Sequence, residues 1–240
     1  MKRILLSLVV VLSVFAVQAK TLVVYYSYTN NVHRIVNELV KQIEADIVKI
    51  EPAEKGLDYA ANNYAIGSAQ ISAIRNNPED ASSYPTIDPV KVDLKDYDCI
   101  IIGAPLWWSN MAAPLQSFLF QYGKDMSGKK IWLIVSSASS GISGVESDAK
   151  RLIPDGKFFS SSLWIKSSQT SNSANLIRQW LKDIKYDSVS SLKAIANDYS
   201  KTSYTVYSIS GYLIGRDMAS IDNLKKGLYI INGKKIYKQN

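Results

Sequence analysis

Short apolar runs and longer amphipathic stretches alternate along residues 20–184. Thr21–Tyr26 reads as a short strand. Asn31–Ile43 then carries Val32, Ile35, Val36, Leu39, Val40 and Ile43 on one face at helical spacing. Asp46–Ile50 is a second short strand, and the polar stretch Glu51–Asp93 is expected to be helical in part, around Tyr59–Ile74. Cys99–Gly103 opens on four apolar residues edged by Asp98 and Gly103, the signature of a strand buried on both faces. The pattern continues with a helix at Pro114–Tyr122, a strand at Lys130–Val135, a helix at Gly144–Ile153 and a last strand at Lys157–Trp164. Asn172–Ile184 closes the series as an amphipathic helix, with Leu176, Ile177, Trp180 and Leu181 inward. Alternation of this kind makes an α/β fold, a parallel sheet with helices on both faces.

After residue 184 the pattern changes. Residues 185–203 are rich in Ser, Lys, Asp and Asn and read as a linker with one short helix at Val189–Asn197. Tyr204–Ile214 alternates in strand fashion around Gly211. Gly227–Tyr237 sets Asn232-Gly233 between two alternating runs, the preferred pair for a two-residue hairpin turn. A small β appendage over 204–240 is expected.

The opening residues belong to neither unit. Lys2 and Arg3 precede the apolar stretch Ile4–Val17, and Val17-Gln18-Ala19 forms a small-residue cleavage site before Lys20. This is the layout of a signal peptide, here residues 1–19, and it predicts export. No later segment is apolar enough to span a membrane. Cys99 is the only cysteine, so no internal disulfide forms, and it reads as a buried small hydrophobe.

Charge sharpens the division. Residues 20–200 hold 19 basic and 19 acidic side chains, whereas residues 201–240 hold seven basic against Asp217 and Asp222. The net +7 of the chain therefore lies in the tail and the leader, which argues against a nucleic-acid surface on the main domain.

Candidate chemistry sits in three loops at the carboxyl ends of strands, where open α/β sheets bind ligands. The first, Ser27-Tyr28-Thr29-Asn30-Asn31, leads straight into a helix. It reads either as an ordinary polar cap or as a phosphate cradle, since helix N–H groups favour an anion. The second loop holds Trp107 and Trp108. These are either packing under a loop or stacking platforms for a flat aromatic ligand, one ring stacking and the other behind it because neighbours in an extended segment point opposite ways. The third, Ser136–Gly144, is either a flexible connection or a source of donors for a ring edge. In a doubly wound sheet the first two loops flank the switch point, which is where a flavin mononucleotide would lie.

Four segments carry a resemblance: LVVYYSYTNN, YDCIIIGAPLWWSNMAAPLQSFL, SGKKIWLIVSSASSGISG and NLIRQWLKDI. Together they resemble the flavodoxin family, in its bacterial branch with a Trp-Trp second loop. The resemblance implies a three-layer sandwich with five parallel strands in order 2-1-3-4-5, FMN as cofactor, and redox or electron-transfer activity. Ser27, Thr29, Asn30, Asn31 and Val32 occupy the phosphate-loop positions. Pro105, Leu106, Trp107, Trp108, Ser109 and Asn110 occupy the loop that covers the ring, and Ser136, Ser137, Ser140 and Gly141 the third loop. The family's phosphate loop has Gly where this chain has Asn30, and Thr where it has Val32. Asn tolerates a left-handed backbone, while the hydroxyl lost at Val32 weakens binding by up to roughly tenfold. The tail, VYSISGYLIG and LKKGLYIINGKKIYK, resembles the C-terminal sorting segments of secreted Bacteroidetes proteins.

These readings converge on an exported FMN-binding protein, periplasmic, cell-surface or extracellular, that exchanges electrons with a protein partner or a small-molecule acceptor. Its tail would be recognised by export machinery. A flavodoxin scaffold that has lost or weakened FMN binding and serves as a binding module is the alternative.

Overall fold

The structure, a computed structural model, describes residues 20–186, 204–218, 220–231 and 234–238. The proposed signal peptide, the short helix expected at Val189–Asn197 and the Asn232-Gly233 turn lie outside the described residues. The chain divides into two compact units, with the boundary at Ser188 and Val189.

In the first unit, β1 (Thr21–Tyr25) lies inside a parallel sheet, with β2 (Asp46–Lys49) on one side and β3 (Cys99–Trp107) on the other. β5 (Lys130–Ser137) lies beyond β3. The sheet runs β2-β1-β3-β5, and the outermost position is shared by β6 (Lys157–Phe158) and β7 (Leu163–Lys166), both parallel to β5. This is the expected order 2-1-3-4-5 with its last strand in two pieces. The break falls on Ser160-Ser161-Ser162, where Ser161 takes a positive φ of 77° and its carbonyl accepts from Trp180 Nε1. A run of serines has little packing to hold it in the pleat.

The helices are α1 (Asn31–Leu39), α2 (Ala61–Asn76), α3 (Ala113–Tyr122), α4 (Ser143–Leu152) and α5 (Ser173–Asp183). α1 and α5 pack together, and α3 packs against α2 and α4. Strand alternation feeds both layers. Leu22, Val24, Ile100, Ile102, Leu133 and Val135 share a core with Leu115, Phe118 and Leu119 of α3 and with Val145 and Ala149 of α4. The intervening Val23, Ile101 and Ile134 are equally buried and point to the opposite face. Each such side chain contributes about 1.5–3 kcal/mol, so the uniformly apolar strands follow from a sheet covered on both sides.

Two strands run further than the pattern suggests. β3 continues through Trp107 because the chain turns back at once as β4 (Asn110–Met111), pairing Leu106 with Met111 and Trp107 with Asn110. β5 continues through Ser137 because β7 pairs beside it. α1 is shorter than its apolar stripe, ending at Leu39, although Ile43 stays buried. Tyr186, in the stretch read as a linker, is buried and its hydroxyl lies 2.6 Å from Thr21 Oγ1.

The second unit is a four-stranded antiparallel sheet in order β11-β10-β8-β9, built from β8 (Tyr204–Ser208), β9 (Leu213–Met218), β10 (Gly227–Ile231) and β11 (Lys234–Lys238). Tyr204, Val206, Ile221 and Ile231 form its small core.

Candidate functional site

The loop after β1 turns into α1 through Asn30, whose backbone is left-handed at φ 62°, ψ 2°. Its carbonyl accepts from Arg34 N–H at 3.0 Å, which starts the helix. The Ser27 hydroxyl accepts from His33 N–H at 3.2 Å. The first two helical N–H groups, those of Asn31 and Val32, find no acceptor among the described residues. A pair of open N–H groups at a helix start is an anion site in waiting. Thr29 is exposed and its hydroxyl accepts from Asn31 Nδ2 at 3.3 Å.

Val32 contributes backbone only. Its side chain is 1% exposed and lies against Gly103, where an added Cβ would meet Val32 Cγ1 at 3.1 Å and Tyr25 Cβ at 2.8 Å. Gly103 therefore sets how closely α1 seats on β1 and β3.

Across from this loop stands the Trp hairpin. Trp107 is half-buried and joins an aromatic cluster, with ring centroids 4.8 Å from Tyr59, 5.7 Å from Tyr26 and 6.5 Å from Tyr28. Trp108 is 40% exposed, its ring 6.3 Å from that of Trp107 at 80°. The expected alternation of the two rings fails because Trp108 leaves the strand. Its φ is 45° and that of Ser109 is 64°, so the pair forms a turn and both rings border one cleft. Gly67 of α2 sits beneath them, and a Cβ there would meet Trp108 Cζ3 at 3.0 Å and Trp107 Cε3 at 3.4 Å.

The cleft measures about 220 Å³ and is lined by Tyr28, Thr29, Tyr59, Tyr64, Leu106 and the two tryptophans, with Gly67 at its floor. The first and second loops thus meet as the sequence expected. The third does not join them in this cleft. Ser136 and Ser137 are buried in β5 rather than in a loop, with Ser136 in register with Pro105. The Ser137 hydroxyl donates to the Ser140 carbonyl at 2.8 Å and accepts from Trp164 Nε1 at 2.9 Å, which commits it to structure. Ser140 and Gly141 are exposed and line no part of the cleft. The buried Ser136 hydroxyl has no partner among the described residues.

Tyr59, Tyr64 and Gly67 were missed by the sequence reading. They lie in the long polar stretch, where aromatic residues among Asn and Ala, and a glycine within helical spacing, were the available signals. The cleft has no charged lining residue. Burial pushes the phenols of Tyr26 and Tyr59 above their ordinary range. Tyr28 is raised by desolvation and by Asp58, whose carboxylate accepts from its hydroxyl at 3.1 Å. All three stay neutral, so Tyr28 and Tyr59 offer the cleft stacking and hydrogen bonds but no general base. His33 points elsewhere, with Nδ1 2.6 Å from the Tyr25 hydroxyl and Nε2 3.1 Å from Asn37. Among the described residues no group of His, Cys, Asp and Glu could hold a metal.

The sequence model of the family described as Flavodoxin matches residues 20–184. The chain belongs to the flavodoxin family. Flavodoxin-like structures share its fold at low identity. A Bacteroides eggerthii chain described as a flavoprotein is 24% identical with a TM-score of 0.56, covering 70% of this chain and 99% of its own. A similar chain from Bacteroides uniformis is 24% identical with a TM-score of 0.53, covering 67% and 98%. A Lactobacillus acidophilus flavoprotein, solved in complex with FMN, is 19% identical with a TM-score of 0.52, covering 65% and 99%. The family match ends at residue 184 and does not include the β appendage.

Proposed function

We propose that this protein binds FMN between the β1 loop and the Trp hairpin and takes part in electron transfer or flavin-dependent reduction. One observation carries the reading: an aromatic cleft without charge adjoins a helix start with two open N–H groups, and the same residues, Tyr28 and Thr29, border both. The residues fit the cofactor. The N–H groups of Asn31 and Val32, with the Thr29 hydroxyl, suit a phosphate; Trp107, Trp108 and Tyr59 suit a flat ring; and the unpartnered Ser136 hydroxyl beside Pro105 suits a polar ring edge. Bound FMN supplies the redox chemistry, and the protein binds, orients and tunes it. The aromatic side chains present ring faces for stacking and hydroxyls for hydrogen bonds.

The Trp-Trp loop supports a place in the corresponding bacterial branch of the family. The charged-then-apolar leader and the tail pattern support export, with the four-stranded appendage as the element read by export machinery. Electron exchange would then occur outside the cytoplasm, with a protein partner or a small acceptor. The second reading, a scaffold with weakened FMN binding, draws on the third loop's lining no part of the cleft and on Val32 in place of a hydroxyl donor.

Titration with FMN while tryptophan emission is followed tests the choice. Saturable quenching is expected, because both rings border the cleft. Unchanged emission in a protein folded by circular dichroism would favour the binding-module reading.

A further inference from the structure

Trp108 and Ser109 are the central residues of a two-residue turn between β3 and β4, both at positive φ. Such turns favour Asn-Gly, and a bulky tryptophan is a poor occupant of left-handed backbone. Something outside the turn must hold it. On one side Arg75 of α2 donates from Nε to Asn110 Oδ1 at 2.7 Å and from Nη2 to the Trp108 carbonyl. On the other, the buried Asp148 of α4 accepts from Asn110 Nδ2 and from Met111 N–H, each at 2.9 Å. Its second oxygen meets Arg151 at 3.3 Å, and Arg151 donates in turn to the Tyr84 hydroxyl at 2.9 Å and to Gln116 Oε1 at 2.8 Å. The Asn110 amide is thus used at both ends, bridging two helices through the hairpin. At Gly144, an added Cβ would collide with the Ser109 carbonyl, so α4 approaches the turn closely enough to brace it. Neither Arg75 nor Asp148 lines the cleft.

We propose that Arg75 and Asp148 are positioning residues that hold the Trp hairpin in its ligand-ready conformation before any ligand arrives. The proposal rests on the reading of the cleft as the FMN site. A ligand that needs the clamped hairpin binds in proportion to the fraction of molecules that have it, and a clamp built from two helices keeps that fraction near one. The clamp therefore contributes to affinity without touching the ligand.

The test uses the purified chain and its Arg75→Ala, Arg75→Lys and Asp148→Asn variants, with two readouts: the near-ultraviolet circular dichroism of the ligand-free protein and FMN affinity by fluorescence titration. In Arg75→Ala, the share of the near-ultraviolet dichroism that comes from Trp107 and Trp108 is expected to be lost and FMN affinity to fall roughly tenfold, with far-ultraviolet dichroism unchanged. Arg75→Lys keeps one donor and should recover part of both. Arg75 is exposed, so its variants decide the matter even if Asp148→Asn fails to fold. Unchanged dichroism with weaker binding would overturn the proposal, since it would make Arg75 a direct ligand contact. Lost dichroism with undiminished affinity would overturn it too, as would no change in either. If the parent chain binds no FMN, the proposed function fails, and the dichroism of Arg75→Ala alone upholds or overturns the clamp.

Discussion

Asn30 gives the sharpest handle on the phosphate loop. Its left-handed backbone, φ 62°, turns the N–H groups of Asn31 and Val32 out of the helix end, and its carbonyl closes the first turn on Arg34. Asn tolerates that conformation, Gly adopts it freely, and a β-branched residue pays about 1–2 kcal/mol to stay there. Asn30→Val should therefore lower the melting temperature by roughly 2–8 °C, since 1 kcal/mol corresponds to about 2–4 °C in a domain of this size. Asn30→Gly relieves local strain but frees the unfolded chain, two effects of under about 1 kcal/mol that nearly offset, so it should melt within about 2 °C of the parent. The ligand should feel the same difference. If the valine leaves the left-handed well, the paired N–H groups diverge, and FMN affinity should fall by about tenfold for each 1.4 kcal/mol lost. Melting curves with and without excess FMN read both quantities. The reasoning is refuted if Asn30→Val melts within about 1 °C of the parent and keeps its FMN affinity.

Other consequences are as direct. Gly144→Ala places a Cβ against the Ser109 carbonyl and should cost about 1–3 kcal/mol by overpacking; a urea midpoint equal to the parent's would contradict this. Burial raises the Tyr26 phenol far above 10, so above pH 10 the unfolded chain gives up a proton that the folded chain keeps. The stability held below pH 10 is then lost as pH rises, by about 1.4 kcal/mol per unit per such tyrosine, and denaturant midpoints at pH 9 and 11 should differ accordingly. Burial also pushes the Cys99 thiol up, which keeps the reactive thiolate scarce. Iodoacetamide at pH 8 should label it only in denaturant, and rapid labelling of the native protein would contradict its burial.

Much of the fold was legible because the two-faced sheet leaves a strong mark: short β-branched runs such as Ile100-Ile101-Ile102, edged by Asp and Gly, fit strands covered on both sides. Asn30 was legible too, since few residues accept positive φ. The break in the last strand was not, because Ser160-Ser161-Ser162 interrupts pairing only when Trp180 and β5 are in place around it. The Trp108-Ser109 turn was hidden for the opposite reason. Its sequence disfavours that backbone, and contacts from α2 and α4, distant in the chain, hold it there. The same separation concealed Tyr59, Tyr64 and Gly67, which reach the cleft through a stretch with weak periodicity. The serines that end β5 looked like a loop because strand extension depends on the neighbour, β7, and not on their own propensity.

The central claim is that one site combines an anion cradle with an aromatic cleft, and comparing FMN with riboflavin by titration calorimetry tests it most directly. Riboflavin has the same ring and lacks the phosphate that the Asn31 and Val32 N–H groups would take. Hydrogen bonds to a charged group are worth about 1.5–3 kcal/mol each, so FMN should bind at one per chain and at least roughly tenfold more tightly than riboflavin. Equal affinities would remove the cradle from the account, and no heat with either ligand would contradict the site altogether.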